Sequence, residues 1–191
     1  MTEKVDLMSQ MQKFKEEYYS QNSKNVIFKK NQKLDCARQV TDNFDINELL
    51  LRTVYIIDKN HVYFDYLLFK LYANEDNYER IVDYVLKIYD YCIENYGSYI
   101  VHMNIDTFTV SAAERYKNII SLFNEKCIQG RHDYTGALRY NKIYFTPNVI
   151  DMILKILKSL LTPEALSKVI YLSKNDSKNK LEDLLIHKIL E

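Results

Sequence analysis

Apolar residues recur at helical spacing early in the chain, alternate with polar ones in its middle, and crowd together near its end. Leu7, Met11, Phe14 and Tyr18 stand three or four apart and predict a helix over 3–20. Residues 22–33 are polar and basic, a loop or a short helix around 26–28. A second helix is predicted at 33–43 on Leu34, Ala37 and Val40, with one more turn at 45–50. From Leu51 the texture changes to β-formers. LRTVYII, a turn at Asp58-Lys59-Asn60-His61, and VYFDYLLFKLY read together as a hairpin.

Asp76 and Glu79 have capping-box spacing and predict the start of a helix, which runs through Ile81, Val82, Val85, Ile88, Tyr89, Cys92 and Ile93 to Tyr96. Gly97 stands where a left-handed stop is needed. A strand over 99–105 follows, with Tyr99, Val101, Met103 and Ile105 on one face and Ile100, His102 and Asn104 on the other. Ser111 and Glu114 form a second capping box, opening a helix that carries Ala113, Tyr116, Ile119, Ile120, Phe123 and Cys127. After a loop at 127–138 and a strand at 142–145 comes a helix over 148–161 that is apolar nearly all round. Only Asp151, Lys155 and Lys158 form a polar stripe. Such a helix is buried on most of its surface or covers something apolar. Thr162 and Pro163 cap and open a short helix, a strand follows at 168–172, and a last helix spans 180–190. Alternation of strands and helices implies βαβ units and a largely parallel sheet. The whole reads as α/β: a mixed, largely parallel sheet flanked by helices (51–191), preceded by a small N-terminal helical segment (1–50).

The totals narrow the function. Twenty-six basic and 26 acidic residues leave no global field for nucleic acid or an anionic membrane. Cys36, Cys92 and Cys127 are 3 in number and widely spaced, fitting neither a disulfide framework nor a zinc site. They read as reduced thiols in a cytoplasmic setting. The charged N-terminus lacks a signal-peptide core, and no apolar run approaches the ~20 residues of a membrane span, so membrane contact is expected to be peripheral. The 17 tyrosines and frequent Lys, Asn and Ile suit an AT-rich coding genome.

No catalytic motif survives inspection. Three glycines cannot supply a dinucleotide or phosphate loop, and neither a nucleophile elbow nor H-E-x-x-H occurs. His61, His102, His132 and His187 are scattered, and a structural role is the simpler reading of His102. Cys127 and His132 are close in sequence but lack an orienting third group and an oxyanion hole. The basic stretch 24–33 around Phe28 reads as a solvated loop more simply than as a phosphate contact. A non-enzymatic protein without cofactor or metal is expected.

Three segments resemble the CRAL-TRIO lipid-binding domain family, which includes carriers of phosphatidylinositol, tocopherol and retinaldehyde. KIYFTP is similar to its strand ending in Asn-Ala-Pro. KSLLTPEALSKVIYL is similar to its Lys-Pro-Phe-Leu-Asp-Pro stretch with Ser-Lys-Ile and a strand. IVHMNIDTFTVSAAERYKNIISLF is similar to its central strand and following helix. Asn104 and Thr107 replace a frequent Asp and Gly, the turn is shortened to Thr146-Pro147, and Leu138 stands at the position of a headgroup acid.

The resemblance implies a pocket for a lipid or other small hydrophobic ligand, floored by the sheet and closed by a mobile gate helix at 148–161. Implied pocket residues are Met152, Ile153, Ile156, Leu157 and Leu160 on the gate, with Tyr144 and Phe145 on a wall. The floor is either Tyr99, Val101 and Met103 or the alternate set Ile100, His102 and Asn104. Each of these side chains serves equally well in a packed core. Lys168 matches the lysine that meets a phosphoinositide headgroup in the family, and otherwise sits at a solvent-facing strand end. The implied partners are lipid and a transient membrane surface. A pocket-less protein-interaction module of the same fold is the alternative, with a protein as partner.

Overall fold

Asp65 ends one element and starts the next. It is the last residue of a strand, and its carboxylate accepts a hydrogen bond from the Leu67 amide at 2.9 Å, capping a helix. The run VYFDYLLFKLY is therefore half strand and half helix. Its C-terminal half was expected to be strand; the cap overrides the β-forming texture of those residues. Asp65→Ala is expected to lower stability by roughly 1–2 kcal/mol, read as a lower urea midpoint.

The computed structural model describes residues 2–22 and 29–190, so the expected feature at 26–28 lies outside them. Helices α1 (Thr2–Gln21), α2 (Lys29–Asn43) and α3 (Ile46–Thr53) lead into β1 (Val54–Asp58) and β2 (His61–Asp65). Residues 51–53 were expected to open the strand and are instead helical, because the Asp45 cap starts α3 and carries it to Thr53. Then follow α4 (Tyr66–Tyr72), α5 (Tyr78–Tyr96), β3 (Tyr99–Asn104), α6 (Val110–Arg115), α7 (Lys117–Gln129), α8 (Tyr134–Ala137) and β4 (Leu138–Tyr144). The chain continues with α9 (Ile150–Leu157), a 3₁₀ turn (Lys158–Leu160), α10 (Pro163–Ser167), β5 (Val169–Tyr171) and α11 (Lys174–Leu190).

Both capping boxes need correction. Asn77 precedes α5 and its side chain accepts from the Asn74 amide, while Asp76 pairs with Arg38 and Glu79 with Lys126. Thr109, not Ser111, caps α6 by accepting from the Ala112 amide at 3.2 Å. Gly97 does end α5 in the left-handed region, at φ 69, and Thr162 caps α10 with Pro163 in its first turn. The last helix starts at Lys174, earlier than its apolar spacing suggested.

The sheet order is β1-β2-β3-β4-β5, with β1 antiparallel to β2 and every later pair parallel. Consecutive right-handed crossovers in one direction put their helices on one face. That face carries Val62 and Phe64 of β2, Val101 and Met103 of β3, Asn141 and Ile143 of β4, and Val169 and Tyr171 of β5, in register across the strands. The main apolar cluster joins this face to α4, α5, α6 and α7, and it includes Leu7, Met11 and Val40 of the N-terminal helices. The opposite face holds a smaller cluster of Ile57, Tyr63 and Tyr144, covered by Leu181 of α11. Among the described residues, no helix is long and apolar enough to cross a membrane.

Candidate ligand cavity beneath an apolar helix

Helix α9 does not lie flat on the sheet. Its two buried residues, Ile153 and Leu157, pack on Ala113 of α6, whose small side chain lets the helices approach. The rest of α9 is half-buried or exposed; Met152 keeps 54% of its surface in solvent, and Val149, just before the helix, 41%. The expected single helix over 148–161 is shorter than its apolar run. It ends at Leu157, and the 3₁₀ turn carries the chain on, with the Leu160 carbonyl accepting from the Asn124 amide.

Between α9 and the sheet lies a cavity of about 380 Å³, within the range typical of small-molecule sites. Its floor is Tyr99, Val101, Met103 and Ile105, with Phe64 and Ile143 beside them. Side chains alternate across a strand, so Ile100, His102 and Asn104 face the other way. The choice between the two floor sets is thereby made in favour of the first. Ile153, Leu157 and Leu160 line the roof, and Leu154 joins them.

Tyr144 and Phe145, expected on a wall, and Met152 and Ile156, expected on the gate's inner side, do not line the cavity. Tyr144 faces the opposite cluster because β4 turns Ile143 and Asn141 toward the cavity, and Phe145, beyond the strand end at φ 56, leaves the alternation and packs there too. Met152 points outward, and Ile156 packs in the α6 contact. Lys168 sits at the start of β5, where its Nζ donates to the Thr135 carbonyl at 2.6 Å and to Glu164 Oε1 at 3.0 Å. It fastens β5 to the end of α8.

The walls that sequence reasoning missed come from α5 and α7. Ile81, Val85 and Tyr89 of α5, and Ile119, Phe123 and Cys127 of α7, reach the hollow. Their helical spacing signals a buried face, which a core and a cavity share. Tyr89 stacks on Tyr99 with ring centroids 4.3 Å apart, and the Tyr99 hydroxyl donates to the Tyr134 carbonyl at 2.8 Å. Among the described residues, one buried polar atom of the cavity lining is unmatched. Asn141 Oδ1 is buried and meets no hydrogen-bond partner among the described residues. Burial pushes the Cys127 thiol up to about 12, opposite to what an activated nucleophile needs. His132 lies near Asp90 and Glu94, at 3.8 and 3.6 Å.

On the far face, His102 is buried between two partners. Its Nδ1 meets the Tyr144 hydroxyl at 2.9 Å and its Nε2 meets His61 Nδ1 at 3.0 Å. Burial, then the charges of His61 and Lys142, lower its pKa to about 3. It is a neutral core histidine, away from the cavity. The side chain of His187 lies outside the described ones.

Scans against protein-family models and against curated proteins return no match to this chain. The functional reading therefore rests on the geometry.

Proposed function

We propose that this protein is a carrier of a lipid or other small hydrophobic ligand, of the CRAL-TRIO kind, with α9 and its 3₁₀ turn as the gate. The observation that carries this reading is the apolar cavity of about 380 Å³ left between α9 and the sheet. Each methylene buried there gains ~0.8 kcal/mol, so a 16-carbon chain gains roughly 10 kcal/mol over water. Asn141 Oδ1 offers an unmatched acceptor inside a mostly apolar lining, which favours ligands carrying a hydroxyl or amide donor.

The gate has a reason to open at a bilayer. Met152 and Val149 expose apolar surface on its outer side, with Lys155 and Lys158 nearby. That face gains by meeting lipid, and the cations favour an anionic surface. The reading is of a cytoplasmic protein that visits membranes peripherally, and exchange of this kind needs no cofactor and no covalent step.

Native mass spectrometry of the purified protein should show a bound lipid that organic extraction removes. Met152→Asp should slow ligand transfer between vesicles several-fold without changing the urea midpoint. A protein that carries no lipid and takes up none from vesicles would sink the carrier reading in favour of a protein-interaction module.

A further inference from the structure

A second hollow, of about 210 Å³, lies where the N-terminal helices meet the body of the protein. Its lining is cationic. Lys15 comes from α1, Lys33 from α2, Lys70 from α4 and Arg115 from α6, and among the described residues no carboxylate lines it. Thr107 and Tyr19 add hydroxyl groups. Thr107 and Lys70 follow the C-terminal ends of β3 and β2, so this hollow is at the opposite end of the sheet from Lys168.

Arg115 is 8% exposed, and its Nε is buried with no hydrogen-bond partner among the described residues. A buried charged donor left unpaired is rare and calls for a missing acceptor. The guanidinium lies over the Tyr116 ring, 5.4 Å from its centroid, which fixes its plane. Lys70 Nζ donates to Thr107 Oγ1 at 2.7 Å, and Thr107 is held at φ 64, a conformation a β-branched residue adopts only under constraint. Two acids act on Lys70 from outside the lining, and each already accepts a backbone hydrogen bond. Asp65 accepts from the Leu67 amide and Asp106 from the Thr107 amide. Burial, then Lys15, weaken the hold of Lys70 on its proton, with Lys33 adding to the effect and Asp106 and Asp65 opposing it.

We propose that this pocket binds a phosphoryl group, supplied either by a lipid headgroup or by free phosphate or a small phosphate ester. The planar guanidinium fork suits two phosphate oxygens, and the ammonium groups act as point charges around the third. Bound there, the anion joins α1 to α4 and α6 through Lys15, Lys70 and Arg115, whose like charges repel. Apart from Tyr66, its lining residues are separate from those of the hydrophobic cavity, so the two readings fail independently.

The test compares thermal unfolding in phosphate and in chloride at equal ionic strength, with calorimetric titration of inorganic phosphate. Co-sedimentation with phosphatidylcholine vesicles, plain or doped with a phosphatidylinositol monophosphate, distinguishes the sources. Phosphate should raise the unfolding midpoint of the wild type. The double variant Lys15→Gln/Lys70→Gln, changed at partly exposed positions, should keep its fold and bind roughly tenfold or more weakly. Arg115→Gln should do the same where it folds. A response to phosphate with no preference for doped vesicles identifies a soluble ligand. A doped-vesicle preference that the double variant loses identifies a headgroup. Equal midpoints in the two salts with no vesicle preference, or a double variant that binds like the wild type, overturns the proposal.

Discussion

Met103→Trp is expected to empty the apolar cavity of lipid, cutting occupancy more than roughly tenfold while leaving the fold in place. Met103 is at the centre of the floor, level with Phe64 on β2 and Ile143 on β4, and all three side chains face the hollow. A flexible thioether there yields to a ligand; a rigid indole occupies its place. The added bulk enters open space, so overpacking should cost less than the ~1–3 kcal/mol seen in filled cores. Native mass spectrometry reads the occupancy and urea unfolding reads the stability. Tyr144→Phe, on the other face of the sheet, is the control and should keep its lipid. Equal occupancy in Met103→Trp and the wild type would mean that ligand binds elsewhere.

Acidification should destabilise the protein well above the carboxylate range. His102 titrates near 6.5 in the unfolded chain and near 3 in the folded one. Between those values the unfolded state binds more protons, so stability falls as pH falls. It is fully present above pH 6.5 and lost progressively down to pH 3. By pH 5 the loss from His102 alone is about 2 kcal/mol. His61 acts in the same direction, since burial and then Lys142 lower its pKa, with Asp58 opposing and Lys59 adding. Urea midpoints between pH 7 and pH 5 should drop accordingly, and His102→Gln should flatten the slope while lowering stability at pH 7. A midpoint independent of pH in the wild type would contradict a neutral, buried His102.

Much of the fold is legible along the chain because local chemistry marks it. Gly97 supplies the left-handed stop of α5, and Thr162-Pro163 opens α10. Asp65 is equally visible as a cap, but the residues after it, Tyr66 to Tyr72, have strand texture and helical geometry. The capping boxes misled for a different reason. Asp76 and Glu79 are drawn to Arg38 and Lys126, partners distant in sequence, and Asn77 and Thr109 precede the helices instead.

The alternation of strands with helices apart from α4 and α8, the mixed sheet and the apolar character of residues 148–161 were determined by sequence alone, because periodicity and caps act within a few residues. Which face of β3 meets the cavity was decided only by tertiary structure. Both faces are covered, one by the crossover helices and one by α11, so apolar side chains on either are equally at home. The hollow itself is of the same kind. It exists because Ile153 and Leu157 rest on Ala113 of α6 instead of on the sheet, a contact between segments far apart in the chain.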